Sequence, residues 1–230
     1  MRWGHYFTSG VGKKLVMAFT GIFLILFLIV HCTANACIFV PDHGVTFNEV
    51  AHFLGTNWIL HVLEIGLIAG FLLHIMQGIM LTVQNRTKRP VNYKLKRRPD
   101  TTWYSRSMGL LGVLILIFLI IHLDHFWVHT RLAAIFGGLD EVSYSSMKVD
   151  NLFGRMQEVF SHAWVVVVYL LALLALGWHL AHGFQSAFRT LGMSSSKYIP
   201  VIRGVGFAFS IIVPLVFAAM PVSMYFGWVK

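Results

Sequence analysis

The chain has 230 residues, of which 57% are hydrophobic and only 12% charged, and its mean hydropathy is +0.71. Soluble domains carry about 25% charged residues, so the composition excludes a water-solvated globule and points to lipid as the main solvent. The net charge of +9 invites a nucleic-acid partner, but the basic residues gather in particular loops rather than on one face, which argues against one.

A hydrocarbon core of about 30 Å needs about 20 consecutive apolar residues in a helix rising about 1.5 Å per residue. Five stretches qualify, at 15–40, 58–83, 108–128, 163–188 and 205–229. The first has no small-residue cleavage site and merges into a polar segment after Pro41, so it predicts a span rather than a cleavable leader. The segment 41–57 predicts a short helix ending near Gly55. Between the second and third spans lies a basic run holding Arg86, Lys88, Arg89, Lys94, Lys96, Arg97 and Arg98. It suits a lipid-facing loop or a docking surface for a peripheral partner. The segment 130–161 carries Gly137, Gly138 and mixed charge, and predicts a short amphipathic helix over 152–160. The last span contains Pro214 and Pro221, where each ring removes a backbone hydrogen bond and predicts a kink. The fold expected is all-α, a single-domain integral membrane bundle of five transmembrane helices.

With the N-terminus in the cytoplasm, all of the 18 basic residues except Arg131, Lys148, Arg155 and Lys230 fall on the inner side. The positive-inside rule therefore predicts an N-terminus in the cytoplasm and a C-terminus outside. Of the acidic residues Asp100 alone falls inside, while Asp42, Glu49, Asp124, Asp140, Glu141, Asp150 and Glu158 lie in or beside outer segments. Cys32 and Cys37 are five apart on one helix, where they point to different faces, and predict packing rather than a disulfide or metal site.

Histidines are the chemical signal. There are 12, and ionisable groups inside spans are costly enough to mark function. His31 lies 17 residues after Lys14 and His122 lies 16 after Arg106, both about 25 Å from the cytoplasmic edge. His74 lies 10 residues before Gln84 and His179 lies 10 before Arg189, both about 15 Å from that edge. Two depths result, with His31 and His122 at the outer and His74 and His179 at the inner. Opposed imidazoles at matched depth in a bundle suit axial ligation of a planar macrocycle. Gly78 and Gly183 each follow an inner histidine by four residues, removing a side chain that would meet such a ring. A single buried histidine would read as a core residue bonded to a backbone carbonyl; four at matched depths favour haem.

His125 and His182, one turn beyond His122 and His179, are rival ligands or neighbours of a propionate or quinone. Arg106, Lys13, Lys14 and Arg189 are propionate partners on the inner side. Glu64, a carboxylate on a span, is either a proton acceptor near a quinone or an interfacial partner for a histidine. Two other classes share some of these residues. His122, His125 and His129 with His179 and His182 resemble the histidine boxes of di-iron membrane oxygenases, but the predicted topology separates the two groups. A proton-coupled transporter built on Glu64, His61 and His74 lacks the expected discontinuous helices and inverted repeat.

Leu63, Glu64 and Ile65 leading to His74 and Gly78, Arg106 and Gly109 leading to His122, and His179, His182 and Gly183 followed by Ser186 together form a pattern. It resembles the cytochrome b membrane-anchor subunit of bacterial succinate dehydrogenases and fumarate reductases, of the five-helix, single-polypeptide, di-haem type. The resemblance covers nearly the whole chain in span number, orientation and order of histidines. It implies two haem b groups, the inner held by His74 and His179 and the outer by His31 and His122. It also implies a flavoprotein (FAD) subunit and an iron–sulfur subunit docked on the cytoplasmic face, and menaquinone or another quinone as electron partner. It places the chain in the bacterial inner membrane as the haem- and quinone-binding subunit of respiratory complex II, with no succinate chemistry of its own. A b-type cytochrome anchor of a hydrogenase or formate dehydrogenase is the alternative.

Overall fold

A computed structural model describes residues 9–87, 102–136, 141–144 and 147–229. Arg2, His5, the basic run Lys88 to Arg98, Asp100, Gly137, Gly138, Asp140 and Lys230 lie outside the described residues.

The described chain is helical almost throughout: α1 Gly10–Ala36, α2 Val45–Thr56, α3 Trp58–Thr87, α4 Met108–His122, α5 His129–Phe136, α6 Leu152–Phe160, α7 Ala163–Thr190 and α8 Ile199–Tyr225. A helical turn, Trp103–Arg106, precedes α4, and a π-helical stretch, Leu123–Val128, joins α4 to α5. Five helices are long and apolar enough to cross a bilayer. The chain is an all-α, multi-pass membrane protein, as its hydropathy predicts. Of the apolar stretch of α7, 39% is buried, against 6% for α3. Leu72, Ile65 and Val62 on α3 are accordingly exposed, as suits side chains solvated by lipid.

The helices run longer than the apolar stretches that predict them. α1 starts five residues early, taking in Lys13 and Lys14, because the Ser9 hydroxyl accepts from the Gly12 amide at 3.0 Å and closes its first turn. α8 starts at Ile199 rather than Val205, with Pro200 in the first turn, where its missing N–H is harmless. Pro214 and Pro221 both sit inside α8, which continues helical past them to Tyr225. α2 and α6 stand where short helices are expected.

One element is unforeseen. The strands β1 (Glu141–Tyr144) and β2 (Met147–Asp150) form an antiparallel hairpin pairing Val142 with Val149 and Glu141 with Asp150. Val149 is buried, giving the hairpin an apolar anchor that a stretch so rich in serine conceals.

The chain divides into two compact units. The first holds the described residues of Met1–Phe27, Ile65–Val113 and Ala175–Ile211. Here a glycine on one helix repeatedly takes a side chain from another. A Cβ on Gly70 would lie 3.0 Å from the Phe23 ring, one on Gly109 2.9 Å from Thr82, and one on Gly206 2.7 Å from Phe184. Small residues let spans approach closely where lipid supplies no hydrophobic drive.

The second unit holds the described residues of Leu28–Glu64, Leu114–Leu174 and Ile212–Lys230. Its core joins Ile38, Phe47, Phe153, Phe160, Val166, Tyr169 and Met220. A polar stitch crosses it. Asn48, 1% exposed, accepts from the Phe153 amide at 2.8 Å and donates to Asn151 at 3.3 Å, while Asn151 caps α6 by accepting from Gly154 at 2.9 Å. Gly44 lies against the Phe153 ring with φ +82°, a conformation and a clearance that both require glycine.

Candidate cofactor sites at two histidine pairs

In the first unit α3 brings His74 to face His179 of α7, with ring centroids 6.2 Å apart and planes at 64°. In the second, His31 of α1 faces His122 of α4 at 5.9 Å and 84°. These are the two pairs that depth along the helices selects. Metal–imidazole bonds of about 2.0 Å on either side of one iron, with about 1.1 Å from ring nitrogen to centroid, set in-line ligand rings about 6 Å apart. Simple edge-to-face rings span about 4.5–7 Å as well, so the nitrogens are what separate the two cases.

At the first pair one of them is unmet. His179 Nδ1 is buried with no hydrogen-bond partner among the described residues. Leaving a buried polar atom unmet costs about 1–3 kcal/mol, and such an orphan asks for an explanation. Gln77 Oε1, in the same unit, is a second orphan. His74 Nδ1 lies 3.2 Å from the Thr20 hydroxyl of α1. Glycines lie beside both rings, each where a Cβ would make ordinary van der Waals contact. A Cβ on Gly21 would lie 3.7 Å from His74 Cε1 and one on Gly112 3.9 Å from His179 Cε1. Of the two glycines singled out by spacing, Gly183 faces open space and Gly78 faces the Met17 methyl at 3.6 Å. These residues fit a flat, bis-histidine-ligated group.

The second pair is more tightly enclosed. Phe217 of α8 packs on His31 at 5.5 Å, and Phe118 and Phe126 flank His122 at 5.5 and 5.4 Å. The last span, which carries no histidine, thus reaches this site through an aromatic ring. Asn35 donates to the His31 carbonyl at 2.8 Å and directs its second N–H to His31 Nδ1 at 3.3 Å. That contact asks for the proton on His31 Nε2, so ligation through Nε2 requires Asn35 to release the ring. Tyr169 of α7 lies with its hydroxyl 3.0 Å from His125 Nδ1 and 3.5 Å from His122 Nδ1. One O–H serves both rings, donating to one and accepting from the other.

The rival histidines do not take the facing positions. His125 stacks on Tyr169 with planes 8° apart. His182 instead lines a cleft of 380 Å³ with Lys14, Gln185, Ser186, Arg189 and Thr190. Gln185, with its amide turned to satisfy both, accepts from Arg189 at 2.9 Å and from Arg203 at 3.2 Å. The cleft therefore gathers Lys14 and Arg189 of the basic residues considered for propionates; Lys13 and Arg106 do not line it.

Glu64 sits in a clamp. Its carboxylate accepts from the Arg131 guanidinium and from Trp127 Nε1, and lies 3.5 Å from His61 Nδ1. A carboxylate so occupied suits pairing, and taking up a proton would require breaking these bonds. Among the described residues no group of three or more His, Cys, Asp or Glu side chains is gathered to hold a bare metal ion. Cys32 and Cys37 are free.

Sequence reasoning missed Thr20, Gly21, Gly112, Asn35 and Tyr169. Thr20 and Gly21 lie on the span opposite His74, and only helix pairing reveals them. Tyr169 falls ten residues before His179 on one helix and was hidden in an apolar run. No family profile, characterised protein or solved structure matches the chain.

Proposed function

We propose that the chain is the di-haem cytochrome b membrane-anchor subunit of a bacterial succinate:quinone oxidoreductase, the reading that its motifs support by resemblance. The observation that carries the haem part is the facing of His74 with His179 and of His31 with His122, each pair drawn from alternate spans.

Haem bound at each pair would supply one-electron transfer between a cytoplasmic iron–sulfur partner and a quinone, the role menaquinone fills in this type. The chain's own residues do the positioning. His74 with His179, and His31 with His122, would each hold one haem through two imidazoles, which would suit it to electron transfer rather than oxygen binding. Lys14 and Arg189, which line one cleft with His182, would offer positive charge to propionates. Phe118, Phe126 and Phe217 keep the second pair dry. In this reading the N-terminus is cytoplasmic, and the basic run after α3 serves the flavoprotein and iron–sulfur subunits.

The test is a pyridine haemochrome assay on the complex purified through this chain, with flavin and succinate activity measured on the same sample. Two haem b per chain with covalent flavin and succinate oxidation are expected. Haem without succinate activity would move the assignment to a hydrogenase or formate dehydrogenase anchor. Absence of a b-type band in the reduced-minus-oxidised spectrum would end the haem reading.

A further inference from the structure

We infer that Thr20 is a positioning residue for His74, fixing the imidazole in the tautomer whose Nε2 lone pair is free for iron; this rests on the haem reading above.

The argument is one of donors and acceptors. A threonine hydroxyl has one proton and two lone pairs. Thr20 places that proton on the carbonyl one turn back, 2.8 Å from Val16 O, with Met17 O at 3.2 Å. The hydroxyl can then only accept from a further neighbour. That neighbour is His74 Nδ1 at 3.2 Å, so Nδ1 carries the hydrogen. A neutral imidazole with its hydrogen on Nδ1 has a bare lone pair on Nε2. The ring is thereby set as a ligand before any metal arrives.

Gly21, next in sequence, lies beside the same ring, where a Cβ would stand 3.7 Å from Cε1, an ordinary van der Waals contact. One dipeptide on α1 therefore packs against His74 and holds its Nδ1. His179 has no such support, its Nδ1 being buried without a partner among the described residues. The two imidazoles that would hold one iron are thus unequal. Hydrogen bonding at the distal nitrogen makes a histidine a stronger donor, which favours the oxidised iron and lowers its potential.

The experiment compares Thr20→Val and Thr20→Ser with the parent in the intact complex, by redox titration and low-temperature EPR of the haems. Valine keeps the shape and loses the hydroxyl; serine keeps the hydroxyl and loses the methyl. The expected result is that Thr20→Val raises the midpoint potential of one of the two b-type transitions and shifts its low-field g value, leaving the other transition in place, while Thr20→Ser matches the parent. Loss of one haem in Thr20→Val, with both retained at parental potentials in Thr20→Ser, supports the inference equally. Unchanged potentials in Thr20→Val, equal shifts of both transitions, or a Thr20→Ser protein that behaves as the valine variant would overturn it. A parent complex without b-type absorption would instead remove the haem reading itself, a different failure from any of these.

Discussion

At the scale of the residue, the two histidine pairs differ in how their outer nitrogens are satisfied. Thr20 accepts from His74, His179 Nδ1 is orphaned, Asn35 donates towards His31, and Tyr169 is shared between His122 and His125. In the proposed haem reading, replacing one of these histidines should therefore act on one haem. His74→Ala is expected to lower haem content from two per chain to one, read by pyridine haemochrome. Retention of both would break the pairing of His74 with His179. A structural counterpart lies at Asn48, whose buried amide meets the Phe153 N–H and Asn151 at once. Asn48→Ala should cost about 1–3 kcal/mol by stranding a buried backbone donor, seen as a lowered thermal midpoint with haem stoichiometry unchanged. The paired histidines were legible because they sit at intervals from charged anchors that any helix preserves. Their supports were not, because Thr20 and Tyr169 lie on other helices, and sequence spacing says nothing about which faces meet.

At the scale of the element, caps and turns explain where prediction by hydropathy stops. α1 extends past its apolar stretch since its capped first turn tolerates Lys13 and Lys14, and α8 since Pro200 suits a first turn, as long as the heads of these lysines and of Arg203 reach polar surroundings. α2 is closed by Asp42, which accepts from the Gly44 and Thr46 amides and from the Thr46 hydroxyl. The Thr46 hydroxyl foremost, with those amides, holds the Asp42 carboxyl below the usual carboxylate range. Its folded value lies under its unfolded value of about 3.9, so the stabilisation is complete above that pH and is lost as pH falls through the folded value. Amides in the first turn of α2 should keep their hydrogen-exchange protection from neutral pH to about pH 4 and lose it below. In Asp42→Asn that acid-dependent loss should vanish. The β1–β2 hairpin escaped sequence reading for a related reason: with four residues per strand, its alternation is too short to stand out.

At the scale of the whole molecule, five helices with exposed apolar flanks make the protein's solvent plain, and this was the most legible property of all, since it depends on composition and length rather than contacts. Which end faces the cytoplasm is a separate question of charge. Ser161 and Ser195 are both exposed, on either side of α7. With Cys32 and Cys37 replaced, a cysteine at Ser161 should react with an impermeant thiol reagent added to intact cells, and one at Ser195 should react only after lysis. The opposite pattern would reverse the assigned orientation and move the proposed partners to the other face.

The π-helical stretch Leu123–Val128 sets the phase of everything that follows it. A wider turn holds an additional residue, so the helix beyond it is rotated about 100° from where an unbroken α-screw would carry it. The carbonyl of His125 within that stretch accepts from Arg155 Nε at 3.0 Å, a bond from outside its own helix. Arg131 meets Glu64 from the rotated side. Deleting Val128 alone would restore the regular screw and swing Arg131 away from its carboxylate, while His122, upstream of the offset, would keep its place opposite His31. One residue thus acts as a dial that aligns the end of a helix independently of its beginning.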